Sequence, residues 1–126
     1  MADPVKILYV DDDQDYLDAM RVILESGGYA MVEAHGAEEG IEVFRGEAPD
    51  AVLVDLMMEE IDSGTGLVKE LLLAGARVPV FLVSSVGESL AMNIDPAELG
   101  LVGVFQKPVD PETLLLTLRT KLAAGV

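Results

Sequence analysis

The sequence predicts an α/β domain, a parallel sheet with helices on both faces. Three observations carry that expectation. Short apolar runs of strand length alternate five times with stretches of helical periodicity across the 126 residues. The run Ala51–Val54 is apolar throughout and Val5–Val10 nearly so, as expected of strands covered on both faces rather than on one. Turn and cap residues such as Gly27-Gly28, Pro49-Asp50 and Asp110-Pro111 punctuate the boundaries. Strands alternating with helices join through right-handed crossovers. The length suits one domain over residues 1–126.

Val5–Val10 reads as the first strand. Asp13 or Asp15 can cap the helix that follows, because a short carboxylate accepts from the free N–H groups of a first turn. Leu17, Met20, Ile23 and Leu24 form its apolar stripe, and Gly27-Gly28 ends it. Tyr29–Ala34 is the second strand, and Ala37–Arg45 an amphipathic helix with Ile41, Val43 and Phe44 apolar. Ala51–Val54 is the third strand. Met57–Gly66 reads as a loop and Leu67–Leu73 as a helix ending near Gly75. Val78–Ser84 is the fourth strand, with Pro79 tolerated at its start. In residues 87–99, a helix could begin at Gly87–Met92, but Pro96 interrupts it. Val102–Gln106 is the fifth strand. Asp110-Pro111 supplies a cap and a first-turn proline to a last helix that turns Leu114, Leu115, Leu118 and Leu122 inward.

Composition narrows the function. Cysteine is absent, so no disulfide forms, which suits a reducing cytoplasm. No apolar stretch approaches the roughly 18 residues that span a bilayer, and Met1-Ala2-Asp3-Pro4 lacks a basic signal-peptide start. A soluble cytoplasmic protein without membrane association is expected. The net charge of −15 is uneven: residues 1–62 carry 17 acids against Lys6, Arg21 and Arg45, a net of −14. Such a surface repels nucleic-acid phosphates, which argues against direct nucleic-acid binding. Most of these charges serve solubility. Asp11, Asp12 and Asp55, with Glu59, Glu60 and Asp62 nearby, instead crowd the strand ends and would attract a cation.

Four apolar runs end in polar groups. Val5–Val10 runs into Asp11-Asp12-Asp13, Ala51–Val54 into Asp55, Val80–Val83 into Ser84, and Val104-Phe105-Gln106 into Lys107-Pro108. Ligands of open α/β sheets bind at the carboxyl ends of strands. Three carboxylates at one point repel one another unless a cation intervenes. Oxygen-only ligands favour a hard ion such as Mg²⁺, or Mn²⁺, which takes one or two carboxylates and leaves room for phosphate oxygens. A carboxylate can itself attack phosphorus, helped by alignment and charge neutralisation. Asp55 would be that nucleophile, with Lys107 and Ser84 meeting the phosphoryl oxygens. The product, an acyl phosphate, is labile and suits a transient signal.

On these motifs, Ile7–Asp13, Val52–Met58, Val80–Ser85 and Phe105–Pro108, nearly the whole chain resembles the receiver domain of two-component response regulators, of the single-domain, chemotaxis-regulator type. The resemblance implies a flavodoxin-like, doubly wound five-stranded sheet of order 2-1-3-4-5. It implies Asp55 as phosphoacceptor, Asp12 as direct Mg²⁺ ligand with Asp11 assisting, and the backbone carbonyl of Met57 as a further ligand. Lys107 would neutralise the phosphoryl group, Ser84 would move toward it, and the Lys107–Pro108 bond would be cis. The phosphodonor would be a histidine kinase or histidine phosphotransfer protein, the readout binding of a downstream protein, and homodimerisation an option. Such a domain assists its own phosphorylation and dephosphorylation without being a conventional turnover enzyme.

The sequence departs from the family at several places. Val104 stands where an aromatic switch residue is common, and Phe105 should point to the opposite strand face. The loop after Asp55 lacks the usual Pro-Gly, residues 87–99 contain Pro96, and Ser85 replaces a common alanine. His35 follows a strand in a loop, not the exposed helical position a phosphorelay histidine needs. A degenerate receiver serving as a phosphorylation-independent interaction module is the alternative, and the complete acid–Ser–Lys set counts against it. A phosphohydrolase of the haloacid-dehalogenase type would carry a second Asp two residues after the nucleophile, where this chain has Met57.

Overall fold

The computed structural model describes residues 4–55, 71, 78–84 and 103–124. Five strands, β1 (Lys6–Val10), β2 (Ala30–Ala34), β3 (Ala51–Asp55), β4 (Val80–Ser84) and β5 (Gly103–Gln106), form one sheet of order β2-β1-β3-β4-β5. Every pairing is parallel. Among the described residues the helices are α1 (Gln14–Ser26), α2 (Ala37–Glu47) and α3 (Pro111–Ala124). The expected fold class and strand order are therefore those of the molecule.

Strand periodicity divides the core in two. Ile7, Tyr9, Leu53, Phe81, Val83 and Phe105 share one face with Leu17, Met20 and Leu24 of α1 and Leu114 and Leu118 of α3. Leu8, Val10, Val52, Val54, Val80 and Leu82 share the other with Leu71, against which Ile41, Val43 and Phe44 of α2 pack. β3 and β4 are buried at every residue, so both faces of the sheet centre are dry. Each large aliphatic or aromatic side chain so buried contributes about 1.5–3 kcal/mol, and this fixes the level at which each strand ends.

Local chemistry explains the boundaries. Asp13, not Asp15, caps α1: its Oδ1 accepts from the N–H of Asp15 at 3.0 Å and of Tyr16 at 3.3 Å. Asp110 caps α3, accepting from the Thr113 N–H at 2.9 Å and its hydroxyl at 2.7 Å. β4 begins at Val80 rather than Val78, since Pro79 has no N–H for the ladder; its carbonyl instead accepts from the Val52 N–H at 3.0 Å. α2 runs past Arg45 to Glu47 and stops at Ala48, which takes a left-handed φ of 46°. The expected helix at 67–73 is described only at Leu71, which is helical and buried. The expectations for the 57–66 loop and for residues 87–99 lie outside the described residues.

Candidate functional site

The reversal of strand order falls between β1 and β3, whose neighbours β2 and β4 lie on opposite sides. Val10 pairs with Val54, so Asp11 and Asp55, one step on, stand side by side. By the same alternation both leave the sheet on the face of Tyr9 and Leu53, beneath α1 and α3. Ser84 pairs with Gln106, and the Lys107 N–H then donates to the Ser84 carbonyl at 2.6 Å. Asp11, Asp55 and Lys107 thus meet at the carboxyl edge of the sheet, with the Ser84 backbone bonded beside them, and the Lys107–Pro108 bond is cis.

Carboxylate oxygens of Asp11, Asp12 and Asp55 lie within 4.8 Å of one another. Asp11 and Asp55 are buried, while Asp12 is exposed at the mouth. Lys107 supplies the counter-charge, with Nζ 3.1 Å from Asp11 Oδ2 and 3.5 Å from Asp55 Oδ1. A buried carboxylate is tolerable only when paired and hydrogen-bonded, and Asp11 Oδ1 also accepts from the Asp13 N–H at 2.9 Å. Burial alone would lower the Lys107 ammonium, but the facing charges of Asp55 and Asp11 outweigh it and hold it above its ordinary value. The ammonium therefore stays charged at neutral pH. The Ser84 hydroxyl is buried and has no hydrogen-bond partner among the described residues.

Of the residues singled out in the sequence, Asp11, Asp12, Asp55 and Lys107 converge, Ser84 adjoins them through its carbonyl's bond from the Lys107 N–H, and Met57 lies outside the described residues. The cluster fits a hard divalent cation: its donors are all oxygens, and they span the gap that a single ion bridges. Val104 is 38% exposed and Phe105 buried, its ring 5.3 Å from that of Phe81, so the expected opposition of these two neighbours holds. His35 is exposed and held in its loop by Glu39 Oε1, 2.8 Å from Nδ1, and Gln14 Oε1, 2.6 Å from Nε2.

Two tyrosines escaped the sequence reading. Tyr9 is buried under the acids, and burial first, then the Asp11 charge, push its phenol far above the usual range, keeping it neutral. Its hydroxyl lacks a well-aligned partner among the described residues. The Tyr16 ring lies beneath the Lys107 ammonium, 4.4 Å from Nζ to centroid, and its hydroxyl accepts from the Val109 N–H at 3.0 Å. The available signal was its place in the first turn of α1: helical side chains lean toward the N-terminus, here toward the acids.

A family model for the response regulator receiver domain matches residues 7–119. Response regulator MprA of Mycolicibacterium vanbaalenii is 31% identical over 119 residues, which make up 94% of this chain and 51% of that protein. The probable transcriptional regulator ycf27 of Guillardia theta is 32% identical over 117 residues, covering 93% of this chain and 45% of the relative. The chain thus spans about half the length of these curated relatives. Among solved structures, a response regulator receiver domain protein (CheY-like) from Methanospirillum hungatei superposes with a TM-score of 0.87 at 28% identity, over 98% of this chain and 97% of that one.

Proposed function

Because the chain belongs to the response regulator receiver domain family, we propose that it receives a phosphoryl group on Asp55 and thereby switches the binding of a partner protein. Two-component signalling is the role of the family. The acceptor, the ion and the donor are what we infer for this chain. One observation carries it: the oxygens of Asp11, Asp12 and Asp55 gather within 4.8 Å, with Lys107 Nζ 3.5 Å from Asp55 and the unsatisfied Ser84 hydroxyl at the adjoining strand end.

In the proposed step a carboxylate oxygen of Asp55 forms a bond to phosphorus. The bond from phosphorus to the donor's leaving group breaks, and its electron pair departs with that group. The donor would be a phosphohistidine of a kinase or phosphotransfer protein, whose imidazole leaves and takes up a proton. Asp11, Asp12 and Asp55 would hold Mg²⁺ or Mn²⁺, and when bound the ion would neutralise phosphoryl oxygens in the loose transition state. Lys107, already charged and 3.5 Å from the Asp55 carboxylate, would meet a second oxygen. The Ser84 hydroxyl, buried without a partner, is available to donate to a third.

Incubation with Mg²⁺ and a small acyl phosphate tests this reading by intact mass. One added phosphoryl group is expected on the wild type, and none on Asp55→Asn. An unmodified wild type under conditions that label other receivers would overturn the proposal in favour of phosphorylation-independent binding.

A further inference from the structure

We infer that Tyr16 is a positioning residue for Lys107, holding its ammonium at the reaction site through the face of its ring. The inference rests on the reading of Asp55 as phosphoacceptor and adds a residue to that reaction. Tyr16 grips the Lys107–Val109 segment twice. Its ring lies 4.4 Å from Lys107 Nζ, and its hydroxyl accepts from the Val109 N–H at 3.0 Å. The ring is confined from two sides: its hydroxyl is bonded to the Val109 N–H, and its centroid is 6.2 Å from that of the buried Tyr9. The lysine above it is confined with it.

The kind of contact matters as much as its geometry. Lys107 also faces Asp11 and Asp55, at 3.1 and 3.5 Å. Those carboxylates are the groups a divalent ion would share, so they would hold the ammonium less firmly when the site is loaded. A π face carries no net charge and is no ligand for a hard cation. Tyr16 therefore keeps Lys107 over the site while its ionic partners are drawn to the metal. In the transfer itself the Asp55 oxygen–phosphorus bond forms as the phosphorus–leaving-group bond breaks, and Lys107 balances charge on the transferred group. Misplacing the ammonium costs rate without touching the acceptor.

The test combines nuclear magnetic resonance of the metal-free protein with phosphorylation by a small acyl phosphate in Mg²⁺. The Lys107 ε-methylene protons, assigned through Lys107→Arg, should resonate upfield because of the ring current. They should keep that shift in Tyr16→Phe and lose it in Tyr16→Leu. Tyr16→Leu should slow labelling of Asp55 by roughly three- to thirty-fold, the rate equivalent of one cation–π contact. Tyr16→Phe should restore most of that rate. In a Lys107→Met background the same Tyr16→Leu change should alter the slower rate by less than about two-fold. An unshifted wild-type methylene, or an equal loss with and without Lys107, would overturn the positioning role. A wild type that labels normally beside an equally fast Tyr16→Leu sinks this inference alone. A wild type that never labels sinks the phosphoacceptor reading and this inference with it.

Discussion

Lys107 lies nearer to Asp11 than to Asp55, its Nζ 3.1 Å from one carboxylate and 3.5 Å from the other. The lysine and a divalent ion therefore draw on the same oxygens. Mg²⁺ at about ten times its dissociation constant should stabilise the wild type by about 1.4 kcal/mol. Lys107→Met should unfold more easily without metal, since buried carboxylates lose their counter-charge, and gain more from Mg²⁺. Asp12→Asn should gain less than the wild type. Thermal midpoints across a Mg²⁺ titration check all three, and midpoints indifferent to Mg²⁺ would refute the metal assignment.

Asp13 satisfies two first-turn N–H groups of α1, those of Asp15 and Tyr16. Asp13→Ala should cost about 1 kcal/mol in urea unfolding, and Asp13→Asn only a few tenths. Equal losses in the two variants would mean that charge, not the cap, is at stake.

Val104 and Phe105 are adjacent in β5 but face opposite ways, one 38% exposed and the other 7%. Phe105→Ala should cost about 3–5 kcal/mol, as removal of a buried ring does, and Val104→Ala should stay within about 0.5–1 kcal/mol. Comparable losses would mean that the two side chains do not face opposite ways.

His35 is bonded to Glu39 and lies 3.3 Å from Glu33 across Nε2, with Gln14 on the same nitrogen and Arg21 on the far side of Glu33. The Glu39 hydrogen bond, opposed by partial desolvation, raises its pKa above the ordinary 6.5. A raised folded-state pKa stabilises fully below 6.5 and loses that contribution as pH rises through the folded value. The wild type should therefore outlast His35→Gln at pH 6 by a small margin, the ring being exposed to solvent. That margin should shrink by pH 9. A margin that grew with pH would contradict the pairing.

Ala48 closes α2 in the left-handed region at φ 46°, with its N–H on the Phe44 carbonyl at 3.1 Å. Glycine takes that conformation without penalty, so Ala48→Gly should raise stability by about 1 kcal/mol. Chemical denaturation reads the sign directly.

The sheet was legible because four of its five strands are short apolar runs closed by a polar residue, and Asp11, Asp55, Ser84 and Lys107 were legible for the same reason. The end of α2 was not. The expected helix closes at Arg45, yet an interior glycine such as Gly46 costs a helix only about 1 kcal/mol, and the helix continues to Glu47. Tyr16 was not legible either. It shares the core-facing side of α1 with Met20 and Ile23, so helical spacing marks it only as packing, and its partners Lys107 and Val109 are far away in sequence, brought close only by the packing of α1 against the end of β5. Pair contacts of that range need the register of the whole sheet.

Because the site groups sit at, or one or two steps past, the last residues of their strands, length changes have unequal consequences. An insertion in the turn between β2 and α2, or in the stretch between α2 and β3, leaves each strand end where it was. A single-residue deletion inside β3 moves Asp55 to the opposite side of the sheet, away from Asp11 and Lys107. Natural variation in this lineage should therefore accumulate as loop indels, with strand lengths held constant across otherwise divergent descendants.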